Sequence, residues 1–181
     1  MITVKLEDGA EGVDGIGDDM ISDLMRRGEI TMKAFLLMFE GDVKSRLSGA
    51  RTGRHYIVSK TGPAHIASAP GESPARLHGH LANSIGHSGP FWKSKNELIG
   101  EVGSGLGIGV NDPSNNASSY ARRLEFGGVH IVPRTVPVRI HTGEWRMVKA
   151  GTQIRILPRP YMGPSAEKMR VVAEKMFDQR V

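Results

Sequence analysis

Cysteine is absent from the 181 residues, so neither a disulfide framework nor a thiolate metal site is possible. No stretch of ~18 apolar residues occurs, and no transmembrane helix is expected. The first residues carry no basic segment followed by an apolar run, so no signal peptide is expected either. Aromatic residues make up only 6%, poor material for base-stacking platforms. Four consecutive Lys or Arg never occur, which removes the simplest form of a nucleic-acid patch. The chain also lacks H-E-x-x-H, the G-x-S-x-G elbow and the Gly-Lys-Ser/Thr of a phosphate loop. Its Gly-rich run from Gly103 to Gly109 misses the G-x-G-x-x-G spacing and reads as a flexible loop or bulged strand.

What remains is a chain long enough for one domain, or one domain with an arm. Hydrophobic residues reach 39%, enough for a modest core, and 23 glycines imply many turns. The net charge is +5 and the isoelectric point about 9.7. Solubility is the ordinary reading of that mild excess; contact with phosphates or an acidic protein face is the sharper one. No internal repeat is visible.

Residues 1–15 hold Glu7, Asp8, Glu11 and Asp14 against one Lys and read as an acidic N-terminal arm, with room for a strand at Ile2–Leu6. Residues 16–181 read as a single α+β domain. Ile21, Leu24, Met25, Ile30, Ala34, Leu37 and Met38 recur at helical spacing over 16–47. Asp18 and Asp19 favour the start of that helix by capping and by the dipole, and Gly49 suits its stop. Gly28 leaves either one kinked helix or two. Residues 49–80 read as a long loop with a short strand at Tyr56–Val58, and the Pro70–Pro74 run opposes regular structure. Strands are expected at Glu97–Gly103 and Ile108–Val110, a turn at Asn111–Asn116 and a short helix over Tyr120–Phe126 ended by Gly127. Residues 129–157 alternate as β-hairpins, with turns at Thr142-Gly143 and Ala150-Gly151. This hairpin excursion reads as an appended arm. Ser165 is placed as the cap of a last helix over 166–178.

No catalytic residue, cofactor site or metal site is predicted. His78 and His80 share a face only on a strand, and exposed loop histidines are their ordinary reading. Glu72 and Glu125 form a carboxylate pair only if the fold brings them together. Arg122 and Arg123 beside Glu125 suit a solvated face with a weak local ion pair. The sharper reading is a subunit contact, where Arg pairs bidentately. Pro160 and Pro164 make 159–165 a rigid strand-to-helix junction in which Tyr161 and Met162 anchor the helix.

Three islands follow one another in the chain. The first is Ala69-Pro70-Gly71-Glu72-Ser73-Pro74 leading to Gly79-His80-Leu81-Ala82-Asn83-Ser84-Ile85. The second is Tyr120-Ala121-Arg122-Arg123-Leu124-Glu125-Phe126-Gly127, and the third Arg159-Pro160-Tyr161-Met162-Gly163-Pro164-Ser165. In this order, after a long helix, they resemble the tail-completion or head–tail joining neck proteins of long-tailed phages (the family of lambda's minor tail protein Z). That family's islands run G-x-L-x-x-S-I, Y-A-x-x-L-E-F-G and R-P-Y-M/L-x-P-A/S. The resemblance covers most of residues 16–178. His78-Gly79 stands where Thr-Gly is usual, and the stretch 128–158 is longer than expected.

The resemblance implies an α+β subunit with long N-terminal and C-terminal helices on a small mixed or antiparallel sheet, plus a β-hairpin arm. It implies a structural virion protein of the phage neck rather than an enzyme, assembled in the host bacterial cytoplasm. Such a subunit would form a ring with itself, a hexamer by resemblance, around DNA that passes without sequence-specific contact. Its other partners would be adjacent neck proteins and the tail terminator or tail tube, with no membrane. Tyr120, Arg122, Arg123, Glu125, Phe126, Arg159, Tyr161 and Met162 are the interface residues this predicts. Two other readings stand beside it: a tail terminator capping the tube, and a sequence-independent DNA-binding module, which predicts steeply salt-dependent DNA affinity.

Overall fold

The helical spacing of the first third of the chain is realised as one element. In the computed structural model, which describes residues 17–57, 64–76, 79–94, 97–105, 117–139 and 144–178, helix α1 runs without a break from Asp18 to Ser48. Gly28 therefore lies inside a continuous helix. The cap position is Gly17, in extended geometry with no side-chain cap, so the expected capping by an Asp is not what starts the helix. Its core face carries Met32, Phe35, Leu36, Phe39, Val43 and Leu47, all buried at spacings of three, four and one.

The remaining elements are β1 (His55–Ile57), β2 (Ala64–Ile66), α2 (His80–Ser84), β3 (Ile85–Ser94), β4 (Glu97–Ser104), α3 (Ala117–Phe126), β5 (Gly128–Ile131), β6 (Val136–Arg139), β7 (Trp145–Val148), β8 (Gln153–Ile156) and α4 (Met162–Asp178). The protein is α+β. Among the described residues its strands form four two-stranded antiparallel sheets, pairing β1 with β2, β3 with β4, β5 with β8 and β6 with β7. The single small sheet expected from the resemblance is thus divided into ribbons. The expected strand at Ile2–Leu6, Val58, Ile108–Val110, Asn111–Asn116 and Thr142-Gly143 lie outside the described residues.

The core forms where α1 packs across the β3–β4 ribbon and against α4, with α2 and α3 closing one end. Ile85, Leu98 and Val102 of the ribbon, Ala121 of α3 and Met169 of α4 complete it. Close approach of helix to strand depends on Gly100, where a Cβ would come within 2.7 Å of the Leu36 side chain. Phe177 of α4 meets Phe35 edge-on with ring centroids 6.3 Å apart.

Polar clasps fix the same packing. Asp42 on α1 accepts hydrogen bonds from Ser165 Oγ at 2.7 Å, from Arg46 Nε at 3.1 Å and from Lys168, tying α1 to α4. Burial opposes ionisation of Asp42, but these donors outweigh it and hold its carboxyl at about 2. Ser165, expected to cap the last helix, instead lies buried inside its first turns, facing Asp42. Glu40 pairs with Lys44 and with His87 of β3, and Trp92 Nε1 donates to Glu29 at 2.6 Å.

Residues 128–139 and 144–157 form one long antiparallel excursion in two ladders. The outer pair β5–β8 is nested around the inner pair β6–β7. Val132 N–H still reaches Thr152 O at 3.0 Å, and a turn closes at Thr152 N–H to Lys149 O, 3.2 Å. The Ala150-Gly151 turn is present, but β8 does not pair back on β7; it returns to β5. Among the described residues neither pair packs substantially on any other element.

Candidate interaction surface

The islands of the sequence, far apart along the chain, meet around the start of α4. Glu125, at the end of α3, turns its carboxylate onto the first amides of α4. Tyr161 and Met162 N–H donate to Glu125 Oε2 at 2.8 and 3.0 Å, and Gly163 N–H donates to Oε1 at 2.7 Å. A helix N-terminus exposes N–H groups and the positive end of its dipole, so a carboxylate placed there serves as a remote cap. Arg159 N–H closes on Leu124 O at 2.6 Å, and Ser73 Oγ donates to Pro160 O at 2.9 Å. The second and third islands are joined by four hydrogen bonds, three from backbone amides to the Glu125 carboxylate and one between backbone groups, and the first reaches the third through Ser73.

The loop before α2 has its own organisation. Arg51 donates to Arg46 O and Gly49 O at the end of α1, and to Pro74 O from both Nε and Nη2. Glu72 accepts from Thr52 Oγ1 at 2.6 Å and from the N–H groups of Ala69 and Thr52. The Thr52 hydroxyl, then the Ala69 and Thr52 amides, hold the Glu72 carboxyl below the usual range. Glu72 and Glu125 are each committed to different backbone donors, and no shared site results.

The predicted interface residues divide into two groups. Tyr161 is 2% exposed, and Met162 packs on the core; burial pushes the Tyr161 phenol well up, with Glu125 and Tyr120 adding to it. Tyr120 is half-buried against the same core, and burial raises its phenol as well. The side chains of Glu125, Tyr161 and Met162 make contacts within their own subunit, and Tyr161 and Met162 sit as the anchors expected of the strand-to-helix junction. Arg159 is half-buried, and its Nε has no partner among the described residues. Arg122, Arg123 and Phe126 face solvent, Phe126 at 74% exposure. Arg123 Nη1 lies 3.2 Å from His130 Nδ1 at the root of the ribbon.

Between the first and second islands lies a mostly apolar pocket of ≈ 230 Å³, with Leu47, Pro74, Leu81, Tyr120 and Leu124 among its walls. Among the described residues no group of three His, Asp or Glu is placed to hold a metal ion, and no helix is long and apolar enough to cross a membrane.

The sequence marks 129–157 as an appended arm, but not that the arm exposes an apolar surface. Val129, Ile131, Val138, Trp145, Met147, Ile154 and Leu157 on the ribbon are all exposed, Trp145 at 68%. The strand register puts Trp145 and Met147 on one face, and Val136, Val138 and Val148 on the other. A hairpin with large apolar groups on both faces, left uncovered by the other described residues, is the signature of a surface that something else covers. Its signal was present in the sequence as strands that never settle into one polar face.

Fold and site together define an α+β protein with a packed helical body and an apolar, basic β-ribbon carried outside it. The chain matches no family model, no curated protein and no solved structure.

Proposed function

We propose that this chain is a structural virion protein of the phage neck, which completes the tail and joins it to the head as part of a ring around the DNA path. The observation that carries the reading is the convergence of the islands on which the resemblance rests. Direct hydrogen bonds at one junction join Ser73 to Pro160, 87 positions on, and Glu125 to Gly163, 38 positions on. The islands thus behave as parts of one structural unit, which gives their joint occurrence a physical reason. A ring subunit also needs surface that assembly covers, and the exposed ribbon supplies it.

The test is the solution mass by light scattering, first alone and then with purified tail tubes. A ring, or a monomer recruited to tube ends, is the expected result. A chain that stays monomeric and ignores tubes overturns the reading. The DNA-binding module stays a second reading because of one observation. Residues 128–157 hold Arg134, Arg139, Arg146, Lys149 and Arg155 against Glu144, a net +4 (five minus one) of the chain's +5. It requires the isolated monomer to bind duplex DNA with steep salt dependence.

A further inference from the structure

The ribbon's charge has a counterpart elsewhere in the chain. The core stripe of α1 runs toward its N-terminus as Phe39, Phe35, Met32, Gly28, Met25 and Ile21, at alternating spacings of four and three. The core covers it only as far as Met32. Beyond that point Ile21 and Leu24 are exposed on the same face, with Met20 beside them. This uncovered half is acidic at its start: Asp18, Asp19 and Asp23 precede the first basic residue of the helix, Arg26. Over residues 17–25 there are three carboxylates and no Lys or Arg, a net −3. The chain thus separates its charge into an acidic, apolar helix end and a basic, apolar ribbon.

We infer that the ribbon of one copy docks on the uncovered N-terminal half of α1 of the next copy. The inference rests on the proposed ring and names the contact that would close it. Two different patches meeting head-to-tail make a heterologous interface, which is the kind that builds rings. Dimensions agree: twelve ribbon residues, 128–139, reach at most ~40 Å in extended form, and α1 from Asp18 to Ile30 spans ~20 Å. Charge complementarity favours a second copy over other partners, and exposed Trp145 and Met147 favour an apolar protein surface over a phosphate backbone. Asp23 already pairs with Arg26 and Arg27 of its own helix, but both arginines are exposed and Asp23 is only half-buried, and such surface pairs exchange readily.

The absence of cysteine gives a direct test. Full-length Leu24→Cys and Met147→Cys chains are purified separately, mixed and oxidised. Disulfide-linked dimers containing one of each are expected, and the double variant in one chain should yield a ladder of linked oligomers. In parallel, Arg146→Glu/Arg155→Glu should lower the solution mass to the monomer. Asp19→Lys/Asp23→Lys should do the same, and mixing the two reversed chains should restore association at least tenfold relative to either alone. All of these sites are on the surface, and circular dichroism verifies that each variant is folded. Wild-type assembly that survives both reversals without mixed disulfides overturns this contact and leaves the ring intact. A wild-type chain that never assembles, alone or with tubes, overturns both. Loss of duplex DNA binding in the Arg variants, with assembly unchanged, overturns the contact in favour of a nucleic-acid surface.

Discussion

At the scale of single residues, two carboxylates do most to join the parts. Glu125 serves three amides that α4 cannot satisfy internally. Glu125→Ala should therefore cost ~1–2 kcal/mol in urea unfolding, and Glu125→Gln less, since an amide oxygen still accepts. Asp42 sets a pH dependence. Its folded pKa of about 2 is below the ordinary 3.8, so its contribution is complete above pH 3.8 and is lost as pH falls through 2. The unfolding midpoint should drop between those values more steeply in the wild type than in Asp42→Asn, as urea titrations at pH 2, 3, 4 and 7 would show. Equal slopes would mean the clasp does not bear on stability. Neither role was legible in the sequence, because the partners of Glu125 are backbone amides 36 to 38 residues away and those of Asp42 lie up to 126 residues on.

At the scale of elements, α1 was legible and β3 was not. The helix announces itself by period, and even its interior Gly28 does not break it, because α1 is held by packing rather than by propensity alone. Strand β3 contains Gly86, Gly89 and Pro90, residues that read as turn, and only pairing with β4 makes it a strand. Its register shifts between Ser88 and Phe91, where that Gly-Pro step sits. Gly100 on the partner strand is a sharper test of the packing. Gly100→Val must push Leu36 out of place and should destabilise by ~1–3 kcal/mol, measured by chemical denaturation. An unchanged midpoint would show that α1 and β4 are not so closely seated. On the ribbon the opposite holds: Trp145→Ser and Met147→Ser should alter monomer stability by no more than ~0.5 kcal/mol, because both side chains are exposed among the described residues.

At the scale of the whole molecule, the ribbon is the part the body can do without. Gly128 pairs with Ile156, so replacing residues 129–157 by a short Gly linker joins neighbouring backbone. The shortened chain should stay folded and unfold cooperatively, while failing to assemble; light scattering and thermal unfolding separate the two properties. Loss of folded protein would place the ribbon in the core instead. The same deletion should remove most of the basic excess, since the ribbon holds +4 of the net +5. Any salt-dependent DNA affinity would then disappear with it.

The sequence by itself determined the long helix, the last helix, the alternating excursion and the absence of thiol chemistry. Each of these follows from period, spacing or composition, which are local properties of the chain. It also contained the islands, but not their meeting. Only the tertiary structure decided that Glu125 caps α4, that Ser165 faces Asp42, and that β8 pairs with β5 rather than with the nearer β7. Those outcomes depend on which distant backbone amides and apolar faces come together when α1 packs on its ribbon, and no local pattern encodes that distance.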